Sequence, residues 1–109
     1  MDSELITIYW RDIPSQVSAR QGKDRASIEL DRRFASAIDR AAMNSGMSGS
    51  DEYLQHWEHR SRECGPDLWA EVEAEAGRLD SEYPAERLER IIASGGIDEE
   101  LKANPGSSD

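Results

Sequence analysis

Apolar and polar residues alternate in the first part of the chain, and this alternation is typical of β-strands. Residues 5–10 are rich in β-branched and aromatic side chains, and Ile6, Ile8 and Trp10 share one face at a period of two. We expect that face to be the buried one. Pro14 then indicates a turn, because proline disfavours helical geometry at the residue before it.

Two weaker strands follow this first one. Residues 16–21 predict a second strand with Val17 and Ala19 pointing inward. Residues 25–30 alternate again and predict a third strand, although a helix that begins at Asp24 is an open alternative for them. The N-terminal part is therefore expected to form a short antiparallel sheet of two or three strands.

Four helices are predicted beyond Asp31, where the apolar spacing changes to three or four residues. The first begins at its N-cap Asp31, and the second is capped by Ser50 and runs to Cys64. Gly65 and Pro66 separate the third helix from the second. Their apolar stripes are, in order, Phe34, Ala37, Ile38, Ala41 and Ala42; Tyr53, Leu54, Trp57 and Cys64; Leu68, Trp69, Val72, Ala76 and Leu79; and Leu88, Ile91 and Ile92. Trp10, Phe34 and Trp57 are predicted as the large core side chains.

A chain of 109 residues, of which 37% are hydrophobic, has room for one compact domain. We predict a single α+β domain over residues 1–96, in which helices pack the antiparallel sheet and residues 66–96 form acidic helices. Residues 97–109 are predicted to be a disordered, flexible tail, because no apolar side chain after residue 103 is able to anchor it.

The charge balance excludes several classes of protein. The chain has 13 basic and 23 acidic residues, a net charge of -10, and this argues against nucleic-acid binding. Residues 1–40 are neutral overall, so the whole excess lies in the later helices. No apolar run is long enough to span a membrane, and no secretory signal is visible. The single cysteine, Cys64, fits the reducing cytoplasm, which is the expected location.

Three short elements resemble a known family. Residues 9–14 are Tyr-Trp-Arg-Asp-Ile-Pro, Arg33 and Phe34 follow, and residues 37–43 are Ala-Ile-Asp-Arg-Ala-Ala-Met. With Tyr53, Leu54 and Trp57, they make residues 5–60 similar to the small bacterial virulence factor domain, which also forms the C-terminal part of conserved virulence factor C of staphylococci. Where the family has a proline just after the Asp31 position, this chain has Arg32.

The resemblance implies an accessory domain with no assigned catalytic residues. In the staphylococcal relatives the domain follows helical repeats, which suits a partner-binding role. Free-standing relatives are encoded beside folate-linked and corrinoid methyl-transfer enzymes, and this implies a link to one-carbon metabolism.

The element at residues 9–14 is the first candidate for partner binding, because tyrosine, tryptophan and arginine are frequent interface hot spots. If Trp10 faces the core, Tyr9 and Arg11 face outward. A purely structural role is the alternative: Trp10 in the core, Arg11 and Asp12 paired locally, and Pro14 fixing the turn. The candidate partner-binding residues, including the basic cluster around Gly22, are Tyr9, Arg11, Asp12, Arg20, Lys23 and Arg25.

His56, His59 and Cys64 are the weak candidates for metal ligands. On one helix Cys64 would lie about 140° around from His59, so the three side chains would not converge on one ion. We therefore expect no metal site and no cofactor. Cys64 is a poor candidate nucleophile, because Glu63 and Asp67 oppose formation of a thiolate. The carboxylates of residues 71–89 are interpreted as a solvated helix face, or else as a docking face for a basic partner.

The sequence favours a non-catalytic cytoplasmic accessory or adaptor module that binds another protein, with a one-carbon methyl-transfer enzyme as a candidate partner. An alternative is a small enzyme, or a cofactor- or metal-binding accessory, linked to folate and corrinoid one-carbon metabolism. A third is an acidic mimic of nucleic acid. The residues do not predict an oligomeric state.

Overall fold

A computed structural model describes residues 3–47 and 51–98, which form an antiparallel sheet with helices packed on one of its faces. The predicted α+β class is confirmed. The described part measures 42 × 38 × 22 Å, and its smallest dimension is about the thickness of one sheet and one helix layer. In chain order the elements are β1 (Ser3–Trp10), β2 (Ile13–Gln21), β3 (Asp24–Glu29), α1 (Arg32–Asn44), α2 (Asp51–Gln55), β4 (Trp57–Cys64), α3 (Leu68–Glu82) and α4 (Ala85–Ala93).

The sheet has four strands in the order β3-β2-β1-β4, all antiparallel to their neighbours. The prediction of two or three strands is therefore corrected by β4, which lies where the sequence predicts the second helix. That helix is limited to the five residues of α2. The spacing of Trp57 and Cys64 does not predict a strand, because β4 forms through backbone pairing with β1, about 50 residues earlier.

The open alternative for the third strand is decided in favour of a strand. Val17 lies opposite Ile28 and Ala19 opposite Ala26 across the pair β2–β3. The tight turn between these strands contains Gly22 at φ +60°, a left-handed conformation that glycine adopts without strain.

The predicted helices α1 and α4 are confirmed, and α3 needs one correction. The Asp31 side chain accepts a hydrogen bond from the Arg33 amide and caps α1, whose five predicted apolar residues are all buried. In α3, Trp69 is predicted to point inward but is 55% exposed. Glu75 is buried instead, because arginines neutralise its carboxylate.

The faces of β1 are the reverse of those predicted. Leu5, Thr7 and Tyr9 are buried on the helix-packed side, whereas Ile6 and Ile8 lie half-buried on the other face. Both sets of alternate residues are apolar enough for a core, so the periodicity alone does not choose between them. Which face of β1 is buried is determined by α3, because this helix packs across β2, β3 and β1 on one face of the sheet.

Trp10 is fully buried as predicted, although it lies at the end of β1 rather than under the main helix layer. Its indole Nε1 donates a hydrogen bond of 2.8 Å to the Tyr53 carbonyl oxygen in α2. The Tyr53 ring lies 5.5 Å from the Trp10 ring. Phe34 is buried in α1, and Trp57 is only half-buried.

The start of the predicted flexible tail is packed against the domain. Asp98 is 3% exposed, its amide donates to Asp12 Oδ2 at 2.7 Å, and its carboxylate pairs with Arg87. The rest of the predicted tail, residues 99–109, lies outside the described residues, as does the predicted cap Ser50. Among the helices of the described ranges, none has the length and apolar character needed to cross a membrane.

Candidate functional site

The turn between β1 and β2 is the point where the sheet joins the later helices. Arg11 has φ 54°, and its Nη1 donates to the Gly95 carbonyl oxygen at 2.8 Å. Its Nη2 lies 3.3 Å from His56 Nε2, and its guanidinium lies 5.3 Å from the centre of the Trp10 ring. Arg11 therefore connects three separate segments of the fold.

Asp12 has a similar structural role. Its amide donates to the Gly96 carbonyl oxygen at 2.9 Å, and its carboxylate accepts the Asp98 amide and lies 3.5 Å from Arg60. The structural alternative for residues 9–14 predicts that Arg11 and Asp12 pair locally, whereas the structure places both in contacts with distant segments of the fold.

Tyr9 is not an outward-facing residue, so that part of the partner-binding prediction is wrong. Its side chain is only 8% exposed, and the Arg60 guanidinium covers its ring at 3.9 Å from the centroid. Burial also raises the pKa of the Tyr9 hydroxyl. The error follows from the reversed faces of β1, because Tyr9 shares the helix-packed face with Leu5 and Thr7.

The opposite face of the sheet is free of packed helices over most of its area. We call this surface, formed by twelve side chains in three rows across the strands, the open face. From β4 to β3, the first row is Glu63, Glu4, Arg20 and Arg25; the second is Ser61, Ile6, Ser18 and Ser27; and the third is His59, Ile8, Gln16 and Glu29. Eight of these residues line a shallow depression of about 300 Å³.

The first row of the open face contains charges that the fold leaves uncompensated. Arg20 Nη2 lies 3.0 Å from Glu4 Oε1. Arg25 is directly opposite Arg20, and Glu63 is directly opposite Glu4, so each end of the row pairs like with like. Like charges in this position repel each other. Within residues 3–47 and 51–98, neither Arg25 nor Glu63 has an ion-pair partner.

The second row is low because it has three serines and one isoleucine. Its serines on β4, β2 and β3 form a trough between the longer side chains of the first and third rows, and Ile6 on β1 interrupts it. Ile6 and Ile8 give the middle of the open face an apolar centre that is half-buried. A second, adjoining cavity of about 490 Å³ is lined partly by Glu4, Arg20 and Glu63 of the first row.

Comparison with known proteins assigns the sequence to a family. The family model described as "Virulence factor" matches residues 8–92, which is more than half of the chain. The chain belongs to the virulence factor family. No curated protein and no solved structure matches it.

The match to the virulence factor family extends beyond the residues that carried the resemblance in the sequence. It begins in β1 and ends in α4, so α3 lies inside the family region, whereas the resemblance covered only residues 5–60. The turn at residues 9–14, which joins the sheet to the helices, also lies within the match.

Of the six partner-binding candidates, this virulence factor domain places Arg20 and Arg25 on the open face and Lys23 in the adjacent turn. Tyr9, Arg11 and Asp12 lie elsewhere, in contacts within the fold. Six residues that line the depression of the open face were not among those candidates, because their rows depend on strand pairing: Glu4, Ile6, Ile8, Ser18, His59 and Ser61.

The weak metal candidates do not converge. His56 contacts Arg11, and His59 lies on the open face, whereas Cys64 lies on the opposite face of β4, since five residues separate them along a strand. The helical geometry used to predict their divergence is wrong. The described ranges contain no group of three residues able to hold a metal ion. Burial and nearby Glu71 raise the pKa of the Cys64 thiol.

Proposed function

We propose that this member of the virulence factor family is a non-catalytic, cytoplasmic accessory module that binds another protein through its open face. One observation carries the proposal: the first row ends in two uncompensated charges, Arg25 and Glu63, beside a half-buried apolar centre. Contact with a protein partner lowers the free energy of such a mixed surface more than contact with water does, because the partner supplies counter-charges and covers apolar area.

Several ionisable residues support a binding role over a catalytic one. Arg11, Asp12 and Asp98 are held in contacts that connect the sheet to the helices, and Glu75 is held by Arg78 and Arg62. Groups that are engaged in this way contribute to stability and are not presented to a substrate.

The test is capture of the native partner by tagged protein, followed by mass spectrometry. Arg25→Glu should reduce recovery at least about fivefold, which corresponds to ~1 kcal/mol, because it reverses an exposed charge of the open face. Arg32→Glu is the matched control, because it makes the same charge change at an exposed residue in α1. Both variants should melt at nearly the wild-type temperature.

Recovery of a folate or corrinoid methyl-transfer enzyme would identify the partner class that the family resemblance implies. Equal recovery by wild type and by folded Arg25→Glu would refute binding through the open face.

A further inference from the structure

The charges of the open face are complementary to those of a second copy of the same face. From β4 to β3 the first row is Glu63, Glu4, Arg20 and Arg25, two acids followed by two bases. A two-fold axis parallel to the strands reverses the strand order of the second copy while each row still faces itself. Glu63 then meets Arg25 of the second copy, and Glu4 meets Arg20.

The other two rows fit the same arrangement. In the third row, His59 meets Glu29 of the second copy, and Ile8 meets Gln16. In the second row, serines meet serines or Ile6, so the trough lets two sheets approach to about the 10 Å that is usual for packed sheets.

The alternative two-fold axis, perpendicular to the strands, fits less well. It would stack the first row on the third, which places Arg25 opposite Glu29 and Glu63 opposite His59 of the second copy. It would also place Glu4 opposite Ile8, and so bury a carboxylate against an apolar side chain. Such a contact is unfavourable unless the charge finds another partner.

We propose that a second copy of this chain packs open face to open face, forming a four-on-four-stranded sandwich. The proposal rests on the proposed function only in taking the open face as a docking surface. In the absence of another protein, a second copy of the chain occupies the open face. A heterologous partner then competes with that second copy for the same residues.

The area of the open face sets the strength of this dimer. Four strands about 4.8 Å apart and three rows about 7 Å apart give about 400 Å² on each copy. Stable interfaces bury roughly 600–1,000 Å² on each partner, so the dimer is weak and depends on protein concentration. Helix α2 packs beside Trp10 and Trp57, one row beyond the third, and leaves the three rows uncovered.

The experiment is sedimentation of the purified full chain over a wide concentration range. The wild-type mass should rise from 12.2 kDa toward twice that value. Arg25→Glu alone and Glu63→Arg alone should stay monomeric where wild type dimerises, because each places like charges opposite each other. An equimolar mixture of the two variants should dimerise again, since the introduced glutamate of one variant then faces the introduced arginine of the other. The native Glu63 and Arg25 that remain in the two variants also face each other in that mixed dimer.

Two controls accompany these variants. Arg32→Glu changes the net charge by the same amount as Arg25→Glu but lies outside the open face, so it should dimerise like wild type. Raised salt should weaken the wild-type dimer, because exposed ion pairs are screened.

A wild-type chain that stays monomeric throughout, a dimer that Arg25→Glu leaves intact, or variants whose mixture stays monomeric would each overturn the proposal. Monomeric wild type together with partner capture that Arg25→Glu abolishes would overturn the dimer alone and leave the proposed function standing. Unchanged capture would refute the proposed function, whatever the sedimentation shows.

Discussion

Residues 9–14 join the sheet to the rest of the fold, and their contacts explain why this element is chemically distinctive. The rings of Tyr53 and His56 pack against Trp10, Arg11 donates a hydrogen bond to Gly95, and Asp12 accepts one from Asp98. Side chains with several donors or acceptors are needed here because loop carbonyl and amide groups from distant segments meet at one point. The element is thus a structural junction, in which Tyr9, Arg11 and Asp12 are engaged within the fold, whereas the candidates Arg20 and Arg25 lie on the open face.

Trp10 should dominate the stability of this junction. Trp10→Ala should lower the free energy of unfolding by about 3–5 kcal/mol, because it empties a large, fully buried aromatic site. Trp69→Ala is the matched control: Trp69 is 55% exposed, and its removal should change stability by less than about 0.5 kcal/mol. Urea unfolding of the three proteins measures both effects, and equal losses for the two variants would contradict the assigned burial.

Position 96 requires glycine because the backbone there lies close to the ring of the same tryptophan. It has φ +101°, and a Cβ atom there would lie 2.7 Å from Trp10 Cζ3. Gly96→Ala should therefore destabilise the fold by about 1–3 kcal/mol. Gly77→Ala in α3 is the control, since its Cβ would meet open space, and it should stabilise by about 0.5–1 kcal/mol. Thermal melting distinguishes the signs, and a neutral Gly96→Ala would exclude this packing.

At the scale of elements, β4 and α3 show how pairing and charge override local pattern. Six consecutive residues of β4 are exposed, so no apolar face holds this strand in place. Its ladder with β1 and its half-buried ends, Trp57 and Cys64, hold it instead. In α3 the buried position 75 is a glutamate, which is tolerated because Arg78 and Arg62 supply its counter-charge.

Glu75 should make the stability of α3 depend on pH. Arg78 holds the pKa of Glu75 below its ordinary value of 4.5. A carboxyl with a lowered folded-state pKa stabilises fully above its unfolded pKa, and this contribution is lost as the pH falls through the folded pKa. Glu75→Gln should cost about 1 kcal/mol at neutral pH, and the difference from wild type should shrink in acid.

Glu73→Gln is the control for this effect, because Glu73 is exposed on the same helix. Its difference from wild type should stay small at every pH. Urea unfolding between neutral and strongly acidic pH measures both variants, and a Glu75→Gln difference that grows in acid would contradict the ion pair.

At the scale of the whole molecule, the helices form one layer on one face of the four-stranded sheet, so most of the other face has no helix packed on it. α3 lies across the inner face, whereas α1 packs on β2 and against α4. The open face therefore combines half-buried isoleucines with charged rows. The net charge of -10 opposes association of whole molecules at long range, so the proposed contacts depend on local complementarity between rows.

Local pattern determined much of the fold in advance. Periodicity, capping and turn chemistry within a few residues predict β1 and β2, the cap and apolar stripe of α1, and the break at Gly65–Pro66. The burial of Trp10 was also predicted, but it depends on the distant residues Tyr53 and Gly96. The virulence factor family was also identifiable, because the Tyr-Trp-Arg-Asp-Ile-Pro element is short and contiguous.

Only the tertiary structure decided the rest. Which face of β1 is buried depends on where α3 packs, and β4 depends on pairing with a strand about 50 residues away. The open face exists only because strand register aligns Glu63, Glu4, Arg20 and Arg25 in one row. Local spacing contains no information about register between distant strands, because register is set by long-range packing and backbone hydrogen bonds.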